Sequence, residues 1–586
     1  MTNFSLPDFR QLVADSLKLW QVPGAAVAVV QDGQVLFSEG FGLRNLEQNL
    51  PVTADTLFPI ASCTKAFTAM AAGLLVDEGR LEWDRPVRDY LPDFKLQDPF
   101  ASERMSMRDL LIHRSGLPRH DMLWFLSNFN RRQIYERLRY LEPSKDFRAA
   151  YQYQNMMYMV AGYLVGEIAG TTWESFVQGR IFERLGMGRS KFSTVEARTT
   201  DDYALPYRIL DEQIKPVDFF ENDGEKAALG PAVSIVSCVN DLARWLQVHT
   251  GGGRFNGEQF ISAANLAEMH RPQIVTSDEV RQQRFGFELP AYGLGWAMHA
   301  HKGKVVVEHG GNLLGFHALV SLVPDSHTGV VVLSNTVTNF LPEVLSYSIY
   351  DRLLALRVGE TDWNGLFKPF LDELRHAEKQ SQALAGEERI AGAGPSHALA
   401  DYLGEYEHPA YGVLAVRRAG EKLEIVFNDK VAAPLEHYHY DYFKAFLDDI
   451  EFLMRLSFST DVKGNIAGVS VQLEPEVKEV YFARRPERAL SDPAYLAQFT
   501  GEYTVIGLTM VISLKGSTLS AALPGQPENL LVPYRGSEFQ LKGRPGFSIR
   551  FKQDSEGQVI GASVVQPGMV VEAVKIVVSR QSSVVS

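Results

Sequence analysis

The stretch GAAVAVVQDGQVLFS, residues 24–38, reads as two apolar strands turned about Asp32-Gly33. An Asp-Gly pair between β-prone runs suits a tight hairpin, because both turn positions need positive φ. Strands that could extend this hairpin occur only far along the chain, as KVVVE at 304–308, HALVSLV at 317–323 and GVVVLS at 329–334. Between the two sets lie amphipathic, helix-length runs such as Cys63–Glu78 and Tyr158–Ile168. Strands at both ends of a segment with helices between them predict an α/β (α+β) domain, one mixed sheet with a helical region inserted.

Beyond about residue 360 the sequence changes character. Trp363 to Arg389 reads as a charged helix, closed by the linker-like Ala391-Gly392-Ala393-Gly394-Pro395. After it, ADYLGEY at 400–406 returns as AQFTGEY at 497–503, and GNIAGVSV at 464–471 returns as GQVIGASV at 557–564. Two matches in one order at nearly one offset predict a duplicated unit. Short alternating runs such as Leu414–Ile425 and Val511–Leu523 make each copy a small antiparallel β-barrel or sandwich. The expected organisation is a catalytic domain at 1–360, a helical linker at 361–395 and β-barrels at 396–490 and 491–586.

With 586 residues and 45% hydrophobic content, the chain has material for several cores. A net charge of −13 argues against phosphate backbones and anionic lipid as partners. Two cysteines, Cys63 and Cys238, exclude a disulfide scaffold and a Cys-rich metal site. No apolar run reaches the ~20 residues of a membrane span. Charged residues within the first twenty leave no signal-peptide core. A cytoplasmic protein is expected, or a periplasmic or secreted one if a leader has been removed.

Three motifs carry chemistry. Ser62-Cys63-Thr64-Lys65 opens a helical run, and residues three apart on a helix share a face. A serine hydroxyl needs a neighbour to take its proton, and a desolvated lysine can do so. A capping serine beside a solvated lysine is the alternative reading. Tyr151-Gln152-Tyr153-Gln154-Asn155 offers a phenol as general base and an amide to orient substrate, or else an aromatic turn. His309-Gly310-Gly311, after KVVVE, offers an imidazole and close backbone approach, or else a glycine turn.

In this order the three resemble the active-site elements of the serine β-lactamase and penicillin-binding-protein superfamily. The nearest likeness is its class C branch, with D-aminopeptidases, DD-carboxypeptidases and esterases. LLIHRSGL at 110–117, Leu185-Gly186-Met187, Asp241–Trp245 and YGLGW at 292–296 agree, and the likeness covers about residues 10 to 355. It implies Ser62 as the acylated nucleophile, Lys65 as its activator and Tyr153 as proton shuttle, with Tyr151 one alternation away. It implies Asn155, His309, Gly310 and Gly311 as substrate-binding residues, and an oxyanion hole from the N–H groups of Ser62 and Asn312. His309 stands where typical β-lactamases carry lysine, which disfavours efficient β-lactam hydrolysis. The barrels resemble those of D-aminopeptidases, where such domains can restrict the cleft.

The function expected is hydrolysis of small amides or short peptides through an acyl-enzyme, D-amino-acid-containing ones first. Carboxylesterase or weak β-lactamase activity is the alternative, and an inert hydrolase-fold scaffold the rival of another class. No cofactor or metal is expected, and a homo-oligomer is left open. The pairs His437/His439 and His299/His301 each share a strand face, but neither has a third ligand in sequence, so both are read as structural. Cys63 is read as a small core residue.

Overall fold

The computed structural model describes residues 6–576 apart from 211, 221–226, 278, 338, 355–360, 385–388, 391 and 448–451. The chain forms two compact units. One comprises Met1–Ile390 with the short segments Pro409–Tyr411 and Leu473–Lys478; the other comprises Ala391–His408, Gly412–Gln472 and Glu479–Ser586.

The first unit is built on a nine-stranded sheet drawn from both ends of its sequence. Its strands are β1 (Gly24–Gln31), β2 (Gln34–Asn45), β3 (Leu50–Pro51), β4 (Ile274–Val275), β5 (Glu288–Tyr292), β6 (Ala297–His301), β7 (Lys304–Leu313), β8 (Phe316–Val323) and β9 (Thr328–Ser334). They lie in the order β4-β5-β6-β7-β8-β9-β1-β2-β3. Every neighbouring pair runs antiparallel, short turns joining β1–β2, β6–β7, β7–β8 and β8–β9, and β1 closes on β9 with Val27 opposite Val332. Both faces of β1 are covered, hence its unbroken apolar run.

Ala25, Val27 and Val29 enter a core with Phe9, Val13 and Trp20 of α1 (Leu6–Trp20) and Val344, Leu345 and Ile349 of α5 (Leu341–Leu353). The opposite face receives α4 (Val239–Thr250), whose Leu246 occupies the space where a side chain at Gly329 would stand. The inserted helices include α2 (Thr64–Asp77) and α3 (Asn155–Ala169). The helix α6 (Trp363–Leu384) sends Trp363, Phe367 and Leu371 into the same core as α1 and α5, so it is packed rather than merely connecting.

The second unit contains two closed eight-stranded antiparallel barrels, the first running from Gly404 to Arg484 and the second from Gly501 to Lys575. The repeat read from sequence has a physical basis. Tyr406 and Tyr503 are both fully buried, and each hydroxyl donates at 2.7 Å to the carbonyl four residues back, Tyr402 and Phe499. Gly464 and Gly557, which open the second repeated motif, both have φ of +80° in their turns. None of the described helices is long and apolar enough to cross a membrane.

Candidate active site

The chain enters the site through Ile60, whose N–H donates to Ile235 O at 2.9 Å and whose carbonyl accepts from Cys63 N at 3.1 Å. Between them Ala61 has φ of +46°, a left-handed conformation costly for a residue with Cβ. That turn places Ser62 in a short 3₁₀ segment, Ala61–Cys63, which runs straight into α2. Nearly every residue of α2 is buried, so the helix is apolar on all sides and its one lysine stands out.

That lysine, Lys65, is wholly buried. Its Nζ lies 2.8 Å from Asn155 Oδ1, 3.0 Å from Ser62 Oγ and 3.1 Å from Ala232 O. Burial, and secondarily the Arg119 guanidinium, hold its ammonium well below the ordinary lysine range. Tyr153 lies beside it, with Nζ 4.7 Å from the ring centroid. Burial pushes the Tyr153 phenol above its ordinary value. Tyr151 packs instead against His113 and Tyr292. The structure thus brings Ser62, Lys65, Tyr153 and Asn155 into one cluster.

Two local devices hold the Tyr153–Asn155 end. Gln154 caps α3 by accepting from Met156 N at 2.9 Å, and its own N–H donates to His113 Nδ1 at 2.9 Å. Asn155 is the first residue of α3, and its Nδ2 donates to Asp121 Oδ1 at 3.0 Å. Asp121 also accepts from Trp124 Nε1 at 2.8 Å and from Arg119 Nε at 2.7 Å. The Arg119 guanidinium lies 5.2 Å from the Tyr153 ring centroid. Sequence reasoning did not single out Arg119 or Asp121; opposite charges two residues apart just after LLIHRSGL were the available signal.

On the strand side, β7 carries His309, Gly310, Gly311 and Asn312. Gly311 passes so close to the serine turn that a Cβ there would stand 2.1 Å from Ile60 O and 3.2 Å from Ser62 N. Asn312 follows, opposite His317 in β8. His309 is buried, and both its ring nitrogens meet protein groups: Nδ1 donates to Gly310 O at 2.7 Å and Nε2 accepts from Tyr292 OH at 2.8 Å. Burial lowers its pKa to about 3, so the ring is neutral. Cys63 points away from the serine cluster, its Sγ 3.0 Å from His309 O, and burial pushes its thiol up to about 12.

The other histidine pairs lie elsewhere. His299 stacks on Phe287 and lies 3.8 Å from Glu308, whose carboxylate accepts from Tyr347 OH, and His437 Nε2 donates to Tyr440 O at 2.8 Å. Among the described residues no group of three or more His, Cys, Asp or Glu side chains is arranged to hold a metal ion.

A serine and a buried lysine one helical turn apart, flanked by Tyr-x-Asn and a Gly-Gly strand edge, define a serine hydrolase on a β-lactamase-like sheet. The chain belongs to the Beta-lactamase family, whose model matches residues 9–352. A second match, to the Domain of unknown function (DUF3471), covers residues 388–484, the first barrel. The chain is 30% identical over 434 residues to the unguisins hydrolase ungD' of Aspergillus campestris, spanning 70% of this chain and 77% of that protein. Protein flp of Staphylococcus aureus is 22% identical over 59% of this chain and 66% of its own length. Among solved structures, the octameric penicillin-binding protein homologue from Pyrococcus abyssi aligns over 82% of this chain and all of its own, with a TM-score of 0.53 and 22% identity. That likeness is one of fold.

Proposed function

We propose that the protein hydrolyses small amides and short peptides, D-amino-acid-containing ones foremost, through an acyl-enzyme on Ser62. The observation that carries this reading is the environment of Lys65 Nζ, buried among three oxygen acceptors with its ammonium disfavoured. A neutral amine has two N–H donors and one lone pair. Asn155 Oδ1 and Ala232 O can only accept, so they take the two donors; the lone pair is left for the one neighbour that can donate, the Ser62 hydroxyl.

Lys65 takes that proton as Ser62 Oγ bonds to the substrate carbonyl carbon. The resulting oxyanion is received by the N–H groups of Ser62 and Asn312, which the close passage of Gly311 allows to converge. Tyr153 keeps its proton as a neutral phenol and, lying beside Lys65, hands it to the leaving amine while Lys65 replaces it. Expulsion of the amine leaves the ester on Ser62. Water then attacks that ester, losing its proton along the same route in reverse.

The preference for amides and esters over β-lactams rests on His309, which is neutral and has both nitrogens engaged, so it supplies no fixed positive charge for a carboxylate. The preference for D-residues rests on the likeness of motifs and barrels to D-aminopeptidases. The test is labelling of Ser62 by a fluorophosphonate, followed by turnover of D- and L-aminoacyl amides, short esters and cephalosporins. Amides turned over with a D preference support the reading. A labelled enzyme active on esters alone would replace it with an esterase. Absence of label on Ser62 would leave an inert scaffold.

A further inference from the structure

The lone-pair argument holds only if Asn155 turns its oxygen, not its NH₂, toward Lys65. With the amide reversed, two N–H groups would face a nitrogen that must donate there, and Lys65 could spend its lone pair on Asn155 instead of Ser62. Nothing in the Lys65 pocket itself forbids this. The constraint lies on the far side of the amide, where Asn155 Nδ2 meets Asp121 Oδ1 at 3.0 Å. A carboxylate only accepts, so it cannot face the amide oxygen without repulsion. Asp121 is itself fixed from two further directions, by the Trp124 indole on the same oxygen and by Arg119 on the other.

We propose that Asp121 is a positioning residue of this site: by accepting from Asn155 Nδ2 it holds Oδ1 toward Lys65 and thereby aims the Lys65 lone pair at Ser62. It touches no reacting atom. The inference rests on the acyl-enzyme reading above, and adds what makes that base directional.

Two effects of Asp121 separate on substitution, one of hydrogen bonding and one of charge. Lys65 Nζ meets Ser62, Asn155, Tyr153 and Tyr158, with His113, His309 and the Cys63 thiol close enough to act on it electrostatically and the charges of Arg119 and Asp121 beyond them. Asp121 in turn faces Arg119 and, in the segment Leu473–Lys478 of the same unit, Glu474, whose burial raises it to about 7. Asp121 favours the charged lysine and Arg119 disfavours it. Removing the Asp121 charge therefore moves the acid limb of kcat/KM to lower pH, whereas Arg119→Ala moves it to higher pH. Asp121→Asn keeps an oxygen for Asn155 and Trp124, turning its NH₂ toward Arg119, which is half-exposed and also lies over the Tyr153 ring.

The experiment compares wild type, Asp121→Ala, Asp121→Asn and Arg119→Ala by pH profiles of p-nitrophenyl acetate turnover and of Ser62 labelling by a fluorophosphonate. Asp121→Ala should lower plateau kcat roughly 10²-fold with little change in KM, the scale of a misaimed catalytic group. Asp121→Asn should recover the plateau to within about tenfold while keeping the shifted acid limb. A wild-type plateau in Asp121→Ala, or an equal loss in Asp121→Asn, would overturn the proposal. Should the alanine variant fail to fold, the asparagine variant decides alone: a retained plateau with a lowered limb supports it, and a collapsed plateau or an unmoved limb refutes it. An unlabelled wild-type Ser62 would instead refute the acyl-enzyme reading, and this inference with it.

Discussion

Buried polar groups are handled in opposite ways in the serine cluster and at the repeated tyrosines of the barrels. In each barrel a buried tyrosine hydroxyl meets a backbone carbonyl at 2.7 Å, a neutral donor matched to a neutral acceptor, and in the first barrel the hydroxyl also accepts from Arg484 at 3.4 Å. In the serine cluster a lysine is buried with three oxygens in reach but no carboxylate in contact, and its protonation is displaced. A matched pair contributes stability and little else; an uncompensated ionisable group stores a proton affinity that chemistry can use. Backbone strain does not follow this division, since Ala61 beside Ser62 and Ile506 in a turn of the second barrel both have φ of +46°.

If that division is right, substitutions in the cluster change rates and substitutions in the barrels change stability. The largest effect is expected from Ser62→Ala, which should lower turnover at least about 10³-fold while circular dichroism stays that of wild type. Lys65→Ala and Tyr153→Phe should each lower kcat by at least ~10²-fold. In wild type, kcat/KM should fall as pH drops through the depressed pKa of Lys65, because the neutral amine is the active form. An acid limb at the ordinary lysine value would show that the site is hydrated and that burial is not what tunes it. A barrel substitution with a rate effect as large as these would break the comparison outright.

The fold was legible where local pattern and long-range pairing agree. The Asp32-Gly33 turn and the β-branched runs at 304–334 announce their strands because a strand covered on both faces must be apolar throughout. The repeat was legible because Tyr406, Tyr503 and the turn glycines each have a backbone reason to recur. The anchoring of α6 was hidden: Trp363, Phe367 and Leu371 follow helical spacing, but a charged helix that docks reads like one that links. In the site, Ser62, Lys65, Tyr153 and Asn155 could be singled out from motif spacing. Their electrostatics could not, since Asp121 and Arg119 reach the cluster through folding, and the occupancy of His309 depends on Tyr292 of another strand.

Smaller effects should appear in the barrels. Tyr406→Phe and Tyr503→Phe each remove one hydroxyl and leave a buried carbonyl unpaired, which should cost about 1 kcal/mol apiece with no change in kcat. Unequal costs would mean that the two copies are not equivalent corners. Hydrogen exchange of the barrel strands reads this without assuming that a multidomain chain unfolds in one step.

The finest distinction lies between the two barrels themselves. Each closes with a basic residue beside the repeated tyrosine: Arg484 pairs with Tyr406 and Lys575 with Tyr503 across the closing strands. Both reach back to the turn that precedes the first strand of their barrel. Arg484 donates to Asp401 O at 2.7 Å from one nitrogen, which also reaches Tyr406 OH and Ile466 O at 3.4 Å each, and to Leu403 O at 2.6 Å from the other, whereas Lys575 makes a single bond, to Gln498 O at 2.8 Å. A guanidinium is a planar fork that satisfies two carbonyls in one geometry, and an ammonium on a flexible stem is a point donor. Arg484→Ala should therefore loosen the first barrel more than Lys575→Ala loosens the second, by at least about 0.5–1 kcal/mol, the net contribution of a hydrogen bond at a half-buried site. Exchange protection of the strands beginning at Gly404 and Gly501 is the readout, and Arg484→Lys should fall to the level of the second barrel. Equal loss of protection in the two alanine variants would show that the additional hydrogen bonds of Arg484 contribute nothing to closing the first barrel.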